Sequence, residues 1–252
     1  MIANRLIDQA MSEAGDRKIK DIRAGLSYTA VMLDDDACGL AYTFRNELGC
    51  FCGILHEAGS IIGRNASEVI PWLSSKNLLK ASMGLATINA VLNVSSDRWE
   101  EGNITTALEV ALTDTFGMVG NFGPILNVVR KQTNNIYIFE KQREKGSGFY
   151  SEIDMPVYLP KCDVIVVTAT SIINHTIDEV LSYCTGAREV CVVGPSCPMS
   201  PEVFKGYNVT ILAGDVVTSP ERALQIVSQG GGTRALKNSM THVLARLPKQ
   251  KK

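Results

Sequence analysis

The sequence lacks the marks of secreted, membrane-spanning and disulfide-stabilised proteins. Its seven cysteines are an odd number and include no CxxC pair, which argues for free thiols in a reducing compartment. No apolar run reaches the roughly 20 residues that a membrane-spanning helix needs. The first 15 residues mix charges with helically spaced apolar side chains, unlike a signal peptide. We therefore expect a cytoplasmic protein without a membrane partner.

The sequence also has almost no net charge. Its 25 Lys and Arg against 26 Asp and Glu give a net charge of -1, so no positive field exists to attract nucleic acid, and we expect no nucleic-acid partner. With 252 residues, 45% of them hydrophobic and 20% charged, the chain can bury a sizeable core. The length favours two domains of ordinary size.

The pattern of residues 1–98 predicts a small α+β domain. An amphipathic helix opens the chain, and two β-rich runs at residues 26–33 and 38–44, joined by an acidic turn, predict a hairpin. A further helix is predicted at about residues 76–93. The polar stretch SSDRWEEGN ends this half, and we place the domain boundary between residues 98 and 99.

Residues 99–252 alternate predicted strands with helices. The predicted strands are 118–119, 136–140, 163–168, 190–194 and 209–214. Their apolar residues are continuous, which is typical of parallel strands that helices cover on both faces. The expected fold class is therefore α/β: a small α+β domain followed by a Rossmann-like, doubly wound parallel sheet.

The stretch GMVGNFGPILNVV follows part of a dinucleotide-binding pattern. Met118 replaces the first glycine of the G-x-G-x-x-G motif, whereas Gly120 and Gly123 keep the other two positions. Pro124 suits the first turn of a helix, and Glu140 ends the next strand, where a ribose-binding acid would lie. Two interpretations stay open: a nucleotide-binding turn, or a structural strand-to-helix turn with a solvent-facing glutamate.

A second Gly-Pro turn, in GPSCPMSPE, follows the fourth predicted strand. In the usual doubly wound order the first and fourth strands are neighbours, so we expect the two turns to face each other at the carboxyl edge of the sheet. The third predicted strand ends in a polar cluster, which predicts an uncharged hydrogen-bonding site, although such residues also cap helices. The cluster consists of Thr168, Thr170, Ser171, Asn174 and Thr176.

Candidate metal ligands are Cys50, Cys52 and His56 in CFCGILH. Thiolates and an imidazole suit a soft divalent ion. A closed zinc site needs four ligands, so we expect no stoichiometric structural zinc and assign no metal ligand.

No catalytic residue can be assigned from the sequence. It has no G-x-S-x-G motif. Cys197 follows the second Gly-Pro turn and is either a reactive thiol at a helix start or a packed side chain. Arg45, Glu47 and Asp215 are candidates for acid–base chemistry that are equally consistent with surface charges.

Several segments, in order from about residue 21 to residue 232, resemble one known family. They are CGLAYTF, ASMGLATINAVLN, GMVGNFGPILNVV, IYIFEK, LPKCDVIVVTATSIINHTIDEVL, VCVVGPSCPMSPEVF and VTILAGDVV. The family is named "putative heavy-metal chelation" and combines an enolase-N-terminal-like domain with a Rossmann-like domain. The resemblance implies an active site in the cleft between the domains. It also implies a role in condensing or hydrolysing pterin-, flavin- or siderophore-like molecules, with metal chelation.

The resemblance also implies site residues. The family's turn after the first Rossmann strand falls on Gly120, Asn121, Phe122, Gly123 and Pro124. Its threonine-asparagine loop falls on residues 168–176, and its Gly-Pro-Ser turn on Gly194, Pro195 and Ser196. Asn89 matches the asparagine of the small domain's last helix.

The resulting hypothesis is a small polar heterocyclic or metal-chelating ligand in the cleft. Backbone N–H groups at residues 120–123 and 194–196 would hold an anionic or carbonyl group. Thr168, Asn174 and Thr176 would bind its heteroatoms, Asn89 would close the cleft, and Gly123 would permit close approach.

Two alternatives remain. One is an S-adenosylmethionine- or nucleotide-dependent transferase with Glu140 on a ribose, and the other is a non-catalytic metal-handling module. The sequence names no cofactor. It leaves turnover and homo-oligomer formation open.

Overall fold

The computed structural model describes residues 1–49, 53–94, 98–140 and 149–248. The first part of the chain forms a three-stranded antiparallel sheet of order β1-β2-β3 with helices around it. Its elements are α1 (Ile2–Ala14), β1 (Ile19–Ala24), β2 (Tyr28–Leu33), β3 (Cys38–Tyr42), α2 (Ala66–Val69) and α3 (Leu78–Leu92). A 3-10 turn at Arg45–Glu47 follows β3.

The rest of the chain forms an eight-stranded sheet. Its strands are β4 (Glu100–Glu101), β5 (Phe116–Val119), β6 (Ile136–Phe139), β7 (Phe149–Tyr150), β8 (Val164–Thr168), β9 (Glu189–Val193), β10 (Ile211–Val217) and β11 (Met240–Arg246). Its helices are α4 (Ile104–Ala107), α5 (Gly123–Val129), α6 (Met155–Tyr158), α7 (Thr170–Ile173), α8 (Ile177–Ser182), α9 (Pro220–Ser228) and α10 (Thr233–Leu236).

The strand order is β4-β11-β10-β9-β8-β5-β6-β7. The six strands from β7 to β10 pair in parallel, and β11 and β4 continue the sheet antiparallel. Numbered along the chain from β5, the parallel strands have the order 3-2-1-4-5-6, the doubly wound Rossmann arrangement. The expected α/β fold class is thereby confirmed.

One prediction about strand neighbours was wrong. Strand β7 is not predicted from the sequence, because it has only two residues and therefore no recognisable apolar run. Once β7 is counted, the fourth parallel strand is β8, and β8 separates β5 from β9. The two Gly-Pro turns, after β5 and β9, therefore do not end adjacent strands.

The central strand of the small sheet, β2, is buried on both faces. All residues of β2 are buried, and successive side chains point to opposite faces of a strand. Val31 and Leu33 join the core that includes α1 and α3, whereas Ala30 and Met32 pack with α9 and α10. Helices from the far end of the chain thus fix the small sheet against the large one.

The large sheet also carries helices on both faces. Val164 and Val166 pack on the side of α4 and α5, while Ile165 and Val167 pack on the side of α7 and α8. Because helices cover both faces, successive positions of β8 favour apolar residues, and its apolar pattern is continuous, as expected for such a parallel strand.

Buried polar contacts join the two parts of the chain. Asn93, at the end of α3, donates through Nδ2 to the carbonyl oxygens of Cys197 (3.0 Å) and Asp215 (3.3 Å), and its Oδ1 accepts from Met199 N at 2.8 Å. The Tyr42 N–H donates to Ser196 Oγ at 2.8 Å. These bonds fix the position of the small sheet beside the carboxyl edge of the large one.

Among the helices of the described ranges, none has the length and apolar character to cross a lipid bilayer.

Candidate functional site

A cleft of about 1070 Å³ opens between the small sheet and the large sheet. The small-sheet wall contains Tyr28, Tyr42, Phe44 and the turn Arg45–Glu47. The opposite wall is the carboxyl edge of β5, β6 and β8, where ligands bind in doubly wound sheets.

The polar wall of the cleft follows β8. Thr168 Oγ1 lies 3.0 Å from Thr170 Oγ1, and the Ser171 hydroxyl donates to the Thr168 carbonyl oxygen at 2.6 Å. Asn174 Oδ1 accepts from Thr176 N (3.3 Å) and Thr176 Oγ1 (2.8 Å). All five residues line the cleft. The sequence thus correctly grouped them, although some of their hydrogen-bonding capacity is used within the loop.

Asn174 lines the cleft and carries a side-chain donor that the loop does not use. Its Oδ1 is used by Thr176, whereas its Nδ2 makes no hydrogen bond to the residues that the structure describes. His175, which follows it, has a φ of 62° and places its Nε2 at 3.1 Å from the Ser75 carbonyl oxygen. This contact with the small-sheet part anchors the loop that carries Asn174.

The turn after β5 lines the cleft through Gly120, Asn121 and Phe122. Gly120 has a φ of 93°, a conformation that glycine adopts without strain. The Phe122 ring lies close to both glycine turns: it is 3.5 Å from the position of a Cβ on Gly120 and 3.7 Å from that of a Cβ on Gly194. The ring therefore fills space between the ends of β5 and β9.

The structure corrects the role expected for the backbone donors of the two turns. Gly120 N donates to Phe139 O and Gly194 N donates to Ala213 O, each at 2.9 Å. These two N–H groups are therefore not available to an anion, because strand neighbours already accept from them.

Half of the predicted site residues lie away from the cleft lining. They are Asn89, Gly123, Pro124, Gly194, Pro195, Ser196 and Asp215. A Cβ added to Gly123 would have no atom within 4 Å, so packing within the described chain does not require glycine there. Ser196 instead accepts the hydrogen bond from the Tyr42 N–H group, which joins the two parts of the chain.

Asn89 does not close the cleft. It is 1% exposed within α3, and its Nδ2 donates to the Leu40 carbonyl oxygen of β3 at 2.8 Å. Its Oδ1 is buried without a partner in the described part of the chain. The polar residue in an apolar helix ties that helix to the small sheet.

The surroundings of Asp215 and Cys197 also indicate structural roles. Asp215 Oδ1 lies 2.5 Å from His242 Nδ1, across the antiparallel pair β10 and β11. The Cys197 thiol is fully buried, and burial raises its pKa well above the ordinary value. A thiol that resists deprotonation is a poor nucleophile.

The charged candidates at the cleft are Arg45, Glu47 and Glu140. Glu140 directly follows β6, as the ribose-binding hypothesis requires. The Arg45 side chain forms no ion pair with the residues described. Arg45 and Glu47 thus reach the cleft, as the sequence had left open.

The aromatic wall on the small-sheet side of the cleft is not predicted from the sequence. Tyr28, Tyr42 and Phe44 come from the hairpin, and Tyr42 packs edge-on against the other two rings at centroid distances of 6.2 Å and 5.1 Å. Thr233 and Tyr183 come from distant segments. The hairpin pattern predicted the strands, but only the packing of the two sheets shows which aromatic side chains face the cleft.

The expected absence of a structural zinc stays a prediction. Cys50 and Cys52 lie outside the described residues. Across residues 1–49, 53–94, 98–140 and 149–248, no group of three or more His, Cys, Asp and Glu side chains could hold a metal ion.

Two family models match the chain, one over residues 7–92 and the other over residues 103–246, and both carry the description "putative heavy-metal chelation". The second match alone spans more than half of the chain. The protein belongs to the putative heavy-metal chelation family. The resemblance recognised from the sequence is thus confirmed.

Relatives of this family support the same fold. An uncharacterised protein of Methanocaldococcus jannaschii is 27% identical over 230 residues, 88% of each chain. A crystal structure of a family protein of unknown function from Pyrococcus horikoshii has a TM-score of 0.85 at 26% identity and covers 98% of this chain and 100% of its own. One from Desulfitobacterium hafniense has a TM-score of 0.80 at 20% identity and covers 97% and 98%.

Gly120 and Gly123 form a matched pair for substitution. Gly120→Ala should destabilise the protein by about 1–3 kcal/mol, because its backbone conformation is unfavourable for alanine and the new Cβ would lie 3.1 Å from Thr168 Cβ. Gly123→Ala should leave stability within about 1 kcal/mol of the unaltered protein, since nothing lies within 4 Å. Urea denaturation of both variants checks this, and equal losses would contradict it.

The stabilising effect of His242 should depend on pH. The hydrogen bond to Asp215 raises the pKa of the His242 imidazole above its ordinary value. A raised pKa in the folded state gives stability that is fully present below the unfolded pKa of about 6.5 and is lost as pH rises through the folded value. The Tm gap between the unaltered protein and His242→Gln should therefore be wider at about pH 5.5 than at about pH 9. A pH-independent gap would contradict this.

Proposed function

We propose that this protein binds a small, polar, planar heterocyclic or metal-chelating molecule in the cleft. The observation that carries the proposal is the pairing of walls: aromatic rings from the small sheet face hydroxyl and amide groups that follow β8. Ligand sites typically combine an apolar or aromatic lining with a few placed polar groups. A pterin- or flavin-like ring fits both walls, and so does a siderophore-like chelator with aromatic groups.

In this proposal a metal would be carried by the ligand. Among the described residues, the cleft offers hydroxyls, amides and carboxylates rather than a compact ligand set. Heavy-metal chelation then describes the chemistry of the bound molecule. Condensation or hydrolysis of such molecules is the reaction class to test, and capture without a product would indicate a metal-handling module.

Asn174→Asp tests the proposal with little disturbance of the loop. The substitution keeps an oxygen that can accept from Thr176, replaces the Nδ2 donor with a second carboxylate oxygen and adds a negative charge. Native mass spectrometry of freshly purified protein comes first, followed by fluorescence titration with pterin and with Zn²⁺ alone. Asn174→Asp should weaken pterin binding about fivefold or more, the value of one hydrogen bond.

The matched control is Asn127→Asp, an exposed position on α5 away from the cleft lining. It introduces the same charge and should leave pterin affinity unchanged. If neither co-purified ligand nor pterin binding is found, the heterocycle proposal fails. If Zn²⁺ alone binds tightly, the proposal that the ligand carries the metal is wrong.

A second function is favoured by a separate observation. The 3-2-1-4-5-6 strand order places Glu140 at the end of β6 and on the cleft lining, where Rossmann proteins bind a ribose. An S-adenosylmethionine- or nucleotide-dependent transferase would use this position. Titration with S-adenosylmethionine discriminates the two functions. Saturable binding that Glu140→Gln abolishes would support the transferase, and unchanged affinity would exclude the ribose contact.

A further inference from the structure

The glycine-rich loop near the C-terminus contributes to the cleft. A Cβ on Gly230 would lie 3.1 Å from Leu26 Cδ1, and one on Gly232 would lie 3.6 Å from Ser27 Oγ. The loop therefore lies against the turn between β1 and β2. This contact brings Thr233, the next residue, to the cleft beside Tyr28.

Tyr28 and Thr233 form a hydroxyl pair at this point. Their oxygens are 2.8 Å apart, and either can be the donor. Two hydroxyls carry two protons, and the bond between them uses one. The second proton has no acceptor among the residues that the structure describes. Whichever hydroxyl donates within the pair, one donor remains for a ligand.

The surroundings hold this donor in place. Tyr28 is 8% exposed and packs with α9 and α10, and the Tyr42 ring lies edge-on against it. Burial raises the pKa of the Tyr28 phenol to about 12. The phenol is therefore protonated across the physiological range, and it is suited to donating a hydrogen bond rather than to acting as a base.

We infer that Tyr28 and Thr233 form a ligand-recognition pair that donates one hydrogen bond to a ring carbonyl of a planar heterocycle bound in the cleft. The inference rests on the proposed function and names the group of the ligand that is recognised. Where the free proton is on Tyr28, this buried O–H group needs an acceptor, and a ring oxo group supplies one without a charge. Where it is on the exposed Thr233, the same oxo group replaces water as the acceptor.

A matched ligand pair tests the inference. Pterin carries the 4-oxo group, whereas 2-aminopteridine has hydrogen at that position. Fluorescence titration should show that the unaltered protein prefers pterin at least about fivefold. The Tyr28→Phe/Thr233→Val double variant should lose this preference while its affinity for 2-aminopteridine stays the same, and the two single variants should identify the hydroxyl that contacts the ligand.

Tyr158→Phe is the control, because Tyr158 packs among Tyr137 and Tyr150 away from the cleft lining. It should keep the full preference. Equal binding of the two pteridines, or a preference that survives in the double variant, would overturn the inference and leave the proposed function intact. If the unaltered protein binds neither pteridine, the heterocycle proposal and the inference both fail. If the double variant shows no thermal transition, the single variants decide by the same comparison.

Discussion

Gly39→Ala is expected to prevent the chain from folding stably. Gly39 lies in β3 where the strand crosses α3, and a Cβ there would be 2.1 Å from the Ala86 carbonyl oxygen and 2.2 Å from the Ala90 nitrogen. Both atoms belong to the helix backbone, so no side chain can rotate away. The strand and the helix would have to separate, at a cost above about 4 kcal/mol.

A loss of that size approaches the whole stability of many domains, which is roughly 5–15 kcal/mol. We expect little soluble Gly39→Ala protein and no cooperative thermal transition by circular dichroism. Gly123→Ala is the matched control, because the same added methyl group meets nothing within 4 Å. A Gly39→Ala variant that melts within a few degrees of the unaltered protein would show that β3 and α3 are less closely packed than described.

Asn93→Ala should produce the second-largest loss. The Asn93 side chain, 3% exposed, makes hydrogen bonds with Cys197, Met199 and Asp215. Its truncation leaves buried backbone groups without these partners, and each such group costs about 1–3 kcal/mol. We expect a total loss of about 3 kcal/mol or more, measured by urea denaturation.

Asn89→Ala is the matched comparison for Asn93→Ala. Both substitutions remove the same side-chain atoms. Asn89 lies within α3, and Asn93 follows four positions later at the end of the helix. Asn89 makes one side-chain hydrogen bond, to Leu40, and leaves its Oδ1 unpartnered among the described residues. Its truncation should therefore cost clearly less. Equal costs for the two variants would mean that cavity formation, not hydrogen bonding between the two parts of the chain, determines the loss.

The residues predicted for the site differ in how far along the chain the evidence for their position acts. The cluster from Thr168 to Thr176 follows one strand directly, and the carboxyl end of a parallel strand places it in the cleft. Asn89 was assigned to the cleft because an amide in an apolar helix needs a partner. The sequence indicates that need, but it does not show that the partner is Leu40 in β3.

Local pattern by itself determined the two-sheet α/β class, the hairpin, helix α3 and five of the parallel strands, because apolar periodicity and turn residues act over a few positions. Tertiary structure decided the rest. The two-residue strand β7 is strand 3 of the 3-2-1-4-5-6 order, so β8 rather than β9 lies beside β5. The packing of α9 and α10 on β2 brought Tyr28 into hydrogen-bonding contact with Thr233, which lies 205 positions later in the chain. Such contacts depend on which faces meet when the sheets pack, and no local pattern encodes that choice.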